Sequence, residues 1–310
     1  MSYAALLALC RALSVETLTD EPMSRHTTFQ IGGPADVFCR PRTPEDVEKL
    51  LTLCAEREIP LYVVGNGSNL LVADEGLRGV VLCTTAMDAV EADPEDGCTL
   101  VCSAGAQLMQ VCLAAKRRGL AGLAFAYGIP GTMGGAVLMN AGAYGGELRD
   151  VLLDSTHVEA GAVQTLEAER LALSYRHSFY SGRKDCCILR ARVRLTPDDP
   201  EAIGAEMRTL MQRRRDKQPL ELPSAGSAFK RPAGGYASAL IDQCGLRGFA
   251  VGGAAVSDKH TGFVVNRGGA SCRDVLTLLR EVRRIVQDTT GFRLEPEVRL
   301  LGVDAAAFGL

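Results

Sequence analysis

The segment at residues 124–147, AFAYGIPGTMGGAVLMNAGAYGGE, combines many glycines with hydroxyl and amide groups and carries almost no charge. Its polar groups belong to Thr132, Asn140 and Tyr144. Glycine lets a backbone adopt left-handed conformations and approach a ligand closely, at an entropic cost that most loops avoid. The segment therefore predicts a surface of bare backbone that binds a ligand, and a buried, tightly packed turn is the alternative.

A shorter glycine turn, GNGSNL at residues 65–70, directly follows a predicted strand. Consecutive backbone N–H groups in such a turn can form a concave site for an anion. The turn is not a dinucleotide fingerprint, because Leu70 stands in place of the third glycine and another strand follows it instead of a helix. A tight Asn-Gly hairpin is the alternative for this turn alone.

We call residues 65–70 the first cradle and residues 128–146 the second cradle. A long diphosphate cofactor between two α+β units needs close backbone contact along much of its length. This need explains why glycine is frequent in both cradles and why charged side chains are scarce there. The chain contains no Gly-Lys pair and therefore no Walker A loop.

The composition is that of a soluble globular protein, with 47% hydrophobic and 23% charged residues. The formal net charge of -3 and the lack of a long basic run argue against nucleic acid or an anionic membrane as a partner. Eleven scattered cysteines without a CxxC pair fit a reducing compartment better than a disulfide framework or a zinc ribbon. The four histidines have no metal-ligand spacing, so we predict no metal.

The elements that must position the cradles are predicted as three domains, at residues 1–82, 83–200 and 201–310. The first domain should contain an amphipathic N-terminal helix, an alternating stretch over residues 27–40, and a helix that begins after the N-cap Thr43. The N-terminus lacks the charged region of a signal peptide, and no apolar stretch is long enough to span a membrane, so we expect a cytoplasmic protein.

The second and third domains are predicted from hydrophobic periodicity. The third domain should contain a final strand within residues 292–302, and Ser271 with Asp274 should cap its last helix. The predicted strands of the second domain are residues 98–103, 155–158, 163–166 and 188–195. The predicted helices of the two domains are residues 107–118, 201–215 and 272–289.

Six motifs, in this order along the chain, resemble those of the UDP-N-acetylenolpyruvoylglucosamine reductase (MurB) family: HTTFQIGGPADVF, YVVGNGSNLLV, AYGIPGTMGGAVLMNAGAYGGEL, YRHSFYSG, PSAGSAFKRP and LEPEVRLLG. The resemblance extends from His26 to Gly302. It implies an α+β fold, in which a two-subdomain FAD-binding module of the PCMH (vanillyl-alcohol oxidase) type precedes a smaller α+β substrate-binding domain. The stretch SFYSGRKDCCILR is short, which resembles the shorter, second type of the family and leaves no room for an extra substrate-clamping tyrosine loop.

The resemblance implies that both cradles bind non-covalent FAD and that NADPH is the reductant. Residues 28–33 should support the first cradle. The implied cofactor-binding residues are Gly65, Asn66, Gly67, Ser68, Asn69, Leu70, Gly128, Pro130, Gly131, Thr132, Gly134, Gly135, Asn140, Gly142, Ala143 and Tyr144.

Three residues fall in motifs that the family uses for catalysis, namely Arg176, Ser227 and Glu297. Reduction of an enol ether places a hydride on one vinyl carbon and leaves enolate charge on the other side of the double bond. The resemblance implies that Arg176 stabilises this charge and that Ser227 donates the proton. Glu297 would orient or polarise the same carboxyl end. Without the family motifs, the same residues would be interpreted as a strand arginine, a turn serine and a solvent-facing carboxylate.

Four further residues lie in motifs that the family places near the substrate: Tyr175, Lys217, Lys230 and Arg231. From the residues alone, Lys217 belongs to a solvated helix face at residues 213–217, and Lys230 is a charged residue of a loop. Tyr175 is equally plausible as a core aromatic and as a residue near the flavin or the substrate. The implied substrate is UDP-N-acetylglucosamine enolpyruvate, and the product is a cytoplasmic peptidoglycan precursor, made by a protein that we expect to be a monomer.

Two other functions fit parts of the pattern. A flavin-dependent oxidase of alcohols or sugars has the same fold, and many such enzymes tether the flavin through a histidine, but neither cradle contains one. A nucleotide-binding protein without catalysis would keep the cradles, but it would have no need of the three catalytic motifs. The reductase is therefore the leading hypothesis.

Overall fold

A computed structural model describes residues 3–309, which divide into two compact units that alternate along the sequence. The first unit comprises residues 3–19, 37–66 and 79–214, and the second comprises residues 20–36, 67–78 and 215–309. The α-helices are α1 (Ala4–Ala12), α2 (Pro44–Glu56), α3 (Leu108–Arg117), α4 (Met133–Met139), α5 (Pro200–Lys217), α6 (Ala237–Gln243) and α7 (Cys272–Thr290).

The strands form several sheets, of which the larger have the orders β1-β2-β5-β3, β12-β11-β13-β7-β6 and β15-β18-β17-β16. The strands are β1 (Glu16–Pro22), β2 (Pro34–Arg40), β3 (Leu61–Val64), β4 (Leu70–Val72), β5 (Leu77–Cys83), β6 (Val90–Ala92), β7 (Thr99–Ser103), β8 (Leu120–Ala121), β9 (Gly142–Ala143), β10 (Gly146–Glu147), β11 (Leu152–Glu159), β12 (Ala162–Glu167), β13 (Cys186–Arg194), β14 (Thr196–Pro197), β15 (Ser224–Ser227), β16 (Ala250–Val251), β17 (Ala254–Val256), β18 (Phe263–Asn266) and β19 (Arg299–Leu301).

The five-stranded antiparallel sheet is the centre of the first unit. In β13, Leu189, Ala191 and Val193 are buried while Arg190 and Arg194 are exposed, as alternation along a strand requires. The apolar face of α3 joins the same core. Elsewhere in this unit, α2 begins at a complete capping box, in which Thr43 and Asp46 satisfy each other's backbone N–H groups.

The second unit contains the β15-β18-β17-β16 sheet and the amphipathic helix α7. Ser271 and Asp274 form the capping box at the beginning of α7, and the Asp74 carboxylate accepts hydrogen bonds from the N–H groups of Cys272 and Arg273. These contacts satisfy backbone donors that the first turn of a helix leaves open. The last strand, β19, pairs in parallel with β4.

The structure confirms the predicted N-terminal helix, the caps of α2 and α7 and the strands of the second predicted domain. The strand expected from alternation over residues 27–40 forms only at Pro34–Arg40, and the strand within residues 292–302 is limited to Arg299–Leu301. The hairpin alternative for the first cradle is wrong, because β3 pairs with β5 whereas β4 pairs with β19. The three-domain division stays a prediction.

Helices in residues 3–309 are all too short or too polar to cross a membrane. Over the same residues, no group of three or more His, Cys, Asp or Glu side chains is arranged to hold a metal ion.

Candidate cofactor and active site

The second cradle is built around the short helix α4. Thr132 is the N-cap, and its buried Oγ1 accepts a long hydrogen bond from the Gly135 N–H at 3.5 Å. The Gly134 N–H donates to the Ala104 carbonyl at 2.8 Å, and a Cβ at Gly134 would lie 3.0 Å from the Ala104 Cβ. Close packing of the helix on Ala104 therefore requires glycine at 134.

The end of the second cradle is a two-residue hairpin between β9 and β10. Tyr144 and Gly145 at its tip both have positive φ, 56° and 94°, which is the conformation of a type I′ turn. A Cβ at Gly142 would lie 2.8 Å from the Gly146 carbonyl, so glycine at 142 keeps these strands close. This part of the cradle has internal reasons for glycine.

Gly135, in the helix of the second cradle, has no such internal reason. A Cβ at Gly135 would meet only the Thr132 Oγ1, at 3.7 Å, and its φ is not positive. Gly135 is exposed although it lies in a helix, where glycine costs about 1 kcal/mol relative to alanine. Open space beside bare backbone fits a ligand that approaches the peptide groups directly, as a flavin nucleotide would.

The beginning of the first cradle contacts the second cradle inside the first unit. The Asn66 side chain donates to the Pro130 carbonyl at 2.7 Å. A Cβ at Gly65 would lie 2.4 Å from the Thr132 Oγ1, so a larger residue there would displace this hydroxyl. The sequence-predicted cradles are thus brought together at residues 65–66 and 130–132.

The remainder of the first cradle belongs to the second unit. Gly67 has a φ of 62°, and a Cβ there would lie 2.0 Å from the His26 carbonyl oxygen. The Gly67 carbonyl accepts from the Thr28 N–H at 3.3 Å, so Thr28, the first of residues 28–33 that were expected to support this turn, is bonded to it. Both the conformation and the contact therefore disfavour any other residue at position 67.

Ser227 and Glu297 are brought together in the second unit. Ser227 is the last residue of β15, and the Glu297 N–H donates to the carbonyl of the next residue, Ala228, at 2.9 Å. The Asn69 side chain of the first cradle donates to the Glu297 carbonyl at 3.2 Å, and the Arg299 N–H donates to the Asn69 carbonyl at 3.0 Å. Both predicted catalytic residues are half-buried.

Arg176 lies in the first unit, in a two-residue turn closed by reciprocal hydrogen bonds of 3.1 Å between Ser174 and His177. Its φ is 55°, which costs a non-glycine residue about 1–3 kcal/mol. The Arg176 guanidinium lies 5.1 Å from the centre of the Tyr175 ring, and Tyr175 is 50% exposed. Arg176 is therefore in a turn, and the strand arginine of the alternative interpretation is wrong.

The predicted substrate lysines lie in the second unit. Lys217 is the exposed last residue of α5. Lys230 forms an ion pair with Glu295 at 3.3 Å, and the Arg231 guanidinium lies 4.5 Å from the Tyr236 ring centre. Exposed pairs of this kind contribute little to stability, so Lys230 can exchange its partner for a phosphate at small cost.

Arg214 is a residue that the sequence reasoning missed. It is buried, although residues 213–217 had been interpreted as a solvated helix face, so that interpretation is wrong at this position. Its guanidinium lies 5.7 Å from the Tyr144 ring centre, and a Cβ at Gly128 would lie 3.3 Å from its side chain. Burial lowers the pKa of the Arg214 guanidinium. The sequence signal was its place in the buried stripe of α5, after Ile203, Met207 and Leu210.

The chain is similar to known proteins along most of its length. Residues 35–164 match the family model described as "FAD binding domain", and residues 218–301 match "UDP-N-acetylenolpyruvoylglucosamine reductase, C-terminal domain". A UDP-N-acetylenolpyruvoylglucosamine reductase from Agathobacter rectalis is 48% identical over 296 residues, which cover 92% of this chain and 94% of that protein. The chain belongs to the UDP-N-acetylenolpyruvoylglucosamine reductase family.

Other members of the reductase family are similar over comparable lengths. The reductase of Lachnoclostridium phytofermentans is 44% identical over 308 residues, 97% of this chain and 98% of that protein. The crystal structure of the Thermus caldophilus reductase (MurB) covers 93% of this chain and 98% of its own, with a TM-score of 0.77 and 35% identity. The α+β fold with an FAD-binding domain of the PCMH type, predicted from the motifs, is confirmed.

Proposed function

We propose that this protein is an FAD-dependent reductase that uses NADPH to convert UDP-N-acetylglucosamine enolpyruvate to UDP-N-acetylmuramate, a step of peptidoglycan precursor synthesis. The observation that carries the proposal is the backbone hydrogen bond from Glu297 to Ala228, the residue after Ser227, in a chain whose first cradle has glycine where a Cβ would collide. We further propose that it acts as a cytoplasmic monomer of the second type, without nucleic acid, membrane or metal as partner.

Each candidate residue has a distinct task in this reaction. Bound FAD would supply the hydride for the vinyl carbon of the substrate. The planar, bidentate guanidinium of Arg176 suits the substrate carboxylate and the enolate charge that develops there. Ser227 donates a proton to the carbon that carries this charge. A serine hydroxyl is a weak acid, so this transfer needs a strongly basic acceptor and a site that excludes water.

The half-burial of Ser227 and Glu297 fits this task. Glu297 is held at its N–H by the Ala228 carbonyl and at its carbonyl by the Asn69 side chain, so its backbone fixes the direction of its Cα–Cβ bond. To hydrogen-bond with a substrate carboxylate, Glu297 would have to carry a proton, since two carboxylates are both acceptors. Lys217, Lys230 and Arg231 are proposed to bind the UDP diphosphate.

The two half-reactions separate the role of Ser227 from flavin binding. In Ser227→Ala, we expect NADPH to bleach the flavin as in the unaltered protein, while reoxidation by the enolpyruvyl substrate under anaerobic conditions slows at least about 100-fold. Ser224→Ala, a serine of the same strand, is the matched control and should change reoxidation by less than about twofold. Loss of both half-reactions in Ser227→Ala would assign the serine another role.

The visible spectrum of the unaltered protein tests the function itself. Flavin bands should bleach with NADPH and recover when the enolpyruvyl substrate is added without oxygen. If oxygen reoxidises the flavin and the enolpyruvyl substrate does not, the protein is an oxidase instead. Flavin that stays with the acid-precipitated protein would also count against the reductase, since it would be covalently attached.

A further inference from the structure

The Asn140 side chain links the second cradle to the turn that carries Arg176. Its Nδ2 donates to Glu147 Oε2 at 2.7 Å and to the Ser174 carbonyl at 3.2 Å, and its Oδ1 accepts from the Arg149 N–H at 2.9 Å. Both N–H bonds of the amide are therefore used inside the first unit. The residue is 1% exposed.

The backbone at Asn140 points to a role for this amide. Asn140 is the C-cap of α4, in the left-handed region at φ 40° and ψ 61°. Glycine is the usual residue in this position, because it adopts the conformation without strain. Asparagine tolerates it less well, so its side chain must contribute more than the conformation costs. The buried hydrogen bonds to Glu147 and Ser174 supply that contribution.

The turn with Arg176 needs support from outside itself. Its two closing hydrogen bonds join only Ser174 and His177, while the left-handed Arg176 adds strain. A strained residue persists only where the surroundings determine its conformation. The second lone pair of the Ser174 carbonyl is bound by Asn140, and the Ser178 hydroxyl donates to the Leu138 carbonyl at 2.8 Å. The turn is thus attached to the second cradle on both sides.

We propose that Asn140 is a positioning residue for Arg176, which holds the guanidinium in register with the cofactor cradle. This inference rests on the proposed function, because it takes Arg176 to contact the substrate of that reaction. The resemblance implied that Asn140 binds the cofactor directly. In this proposal its side-chain amide instead affects the reaction by supporting the Ser174–His177 turn.

Hydrogen exchange tests the link without reference to activity. Asn140→Gly keeps the left-handed backbone and removes the amide, so exchange of the Ser174 and His177 amides should quicken by about tenfold. Asn266→Gly is the matched control, since Asn266 is a buried asparagine of the second unit with a side-chain bond to the Phe29 carbonyl. It should leave exchange over residues 172–178 unchanged. Unchanged exchange in Asn140→Gly would overturn the proposal.

Kinetics of the FAD-loaded enzyme test whether Asn140 acts through Arg176. We expect Asn140→Gly to lower the limiting rate of flavin reoxidation by the substrate about tenfold, because small misplacement of a reacting group is costly. In an Arg176→Ala background the same change should cost less than about twofold. Equal losses in both backgrounds would show a general structural role and overturn the proposal.

A second variant of Asn140 and the behaviour of the unaltered enzyme distinguish two other outcomes. Asn140→Asp keeps the size of the side chain but has no N–H donors, and its carboxylate would face that of Glu147, so its exchange and rate changes should be at least as large as those of Asn140→Gly. If neither variant folds, Asn140 is a residue of general stability and the proposal is overturned. A failure of the proposed function would differ, since the unaltered enzyme would then not be reoxidised by the enolpyruvyl substrate while the exchange result would stand.

Discussion

The two units hold their candidate catalytic residues in different ways. In the first unit, Arg176 lies in an isolated turn with a left-handed backbone, and a buried side-chain amide from Asn140 supports it. In the second unit, Glu297 lies two residues before β19, whose parallel pairing with β4 runs over Arg299–Leu301. Asn69 adds one side-chain bond to a segment that backbone pairing already holds.

This difference indicates where side chains determine geometry. A ladder of backbone hydrogen bonds fixes a segment whatever its side chains are, whereas the backbone of a two-residue turn contributes only its closing pair. The Arg176 turn therefore relies on side chains, such as the Asn140 amide and the Ser178 hydroxyl, for what the Glu297 segment obtains largely from peptide groups. Substitutions at Arg176, at the cradle glycines and at Asn69 should reveal the contrast in decreasing order of effect.

The largest expected effect follows removal of the Arg176 guanidinium. Arg176→Ala and Arg176→Gly should each slow substrate-dependent flavin reoxidation by about 100- to 1000-fold, as loss of a charge-stabilising donor does. Their stabilities should differ, because alanine keeps the strain at φ 55° and glycine does not. We expect the glycine variant to be more stable than the alanine variant by about 1 kcal/mol in urea unfolding.

At Ser227 we expect the opposite order of stability for the glycine and alanine variants. Ser227 has no positive φ and lies in β15, so Ser227→Gly should be less stable than Ser227→Ala by about 0.5–1 kcal/mol. Equal stabilities of glycine and alanine at position 176 would mean that the turn is not held in the left-handed conformation.

A smaller effect, on stability, should distinguish the two parts of the first cradle. In Gly67→Ala the new Cβ meets the backbone of His26 at a positive φ, and we expect a loss of about 2–3 kcal/mol in the free energy of unfolding. In Gly65→Ala the obstacle is the Thr132 hydroxyl alone, so the loss should be smaller.

A second substitution separates these cases. Thr132→Ala removes the hydroxyl at some cost to the cap of α4, and in that background Gly65→Ala should cost little more. No variant of Thr132 should relieve Gly67→Ala. If Thr132→Ala failed to relieve Gly65→Ala, the glycine would be required by something other than this side chain.

The sequence predicted the parts of the site that depend on local chemistry. Pro44 after Thr43, and Asp274 three residues after Ser271, determine helix starts whatever the rest of the fold does, and both caps formed. Glycine frequency likewise located the cradles. The hairpin alternative for residues 65–70 failed because the partners of β3 and β4 are remote in sequence, and no local signal specifies them.

Long-range contacts also explain what the sequence could not indicate at single residues. The Asn140 amide donates to the Ser174 carbonyl, 34 residues later, and nothing near Asn140 in the sequence indicates that partner. The expected role of Asn140 in cofactor binding stays a prediction. Arg214 was assigned to solvent because charged residues surround it, yet its spacing from Met207 and Leu210 places it on the buried stripe. Periodicity was the better guide there than composition.

The smallest expected effect follows removal of the Asn69 side chain. Asn69→Ala deletes one hydrogen bond of 3.2 Å to the Glu297 carbonyl, while the pairing of β19 with β4 and the Glu297 bond to Ala228 remain. We expect a loss of about 0.5–1.5 kcal/mol in stability and a fall of less than about fivefold in the reoxidation rate at saturating FAD.

That fall should be smaller than the tenfold loss expected for Asn140→Gly, although each variant removes an asparagine amide that holds a peptide carbonyl. The reason is that backbone pairing can keep Glu297 in place without Asn69, whereas the Ser174–His177 turn loses a bond for which the backbone offers no substitute. Parallel measurement of both variants decides the point. Equal rate losses would mean that the β19 ladder does not position Glu297, and the contrast between the two units would fail.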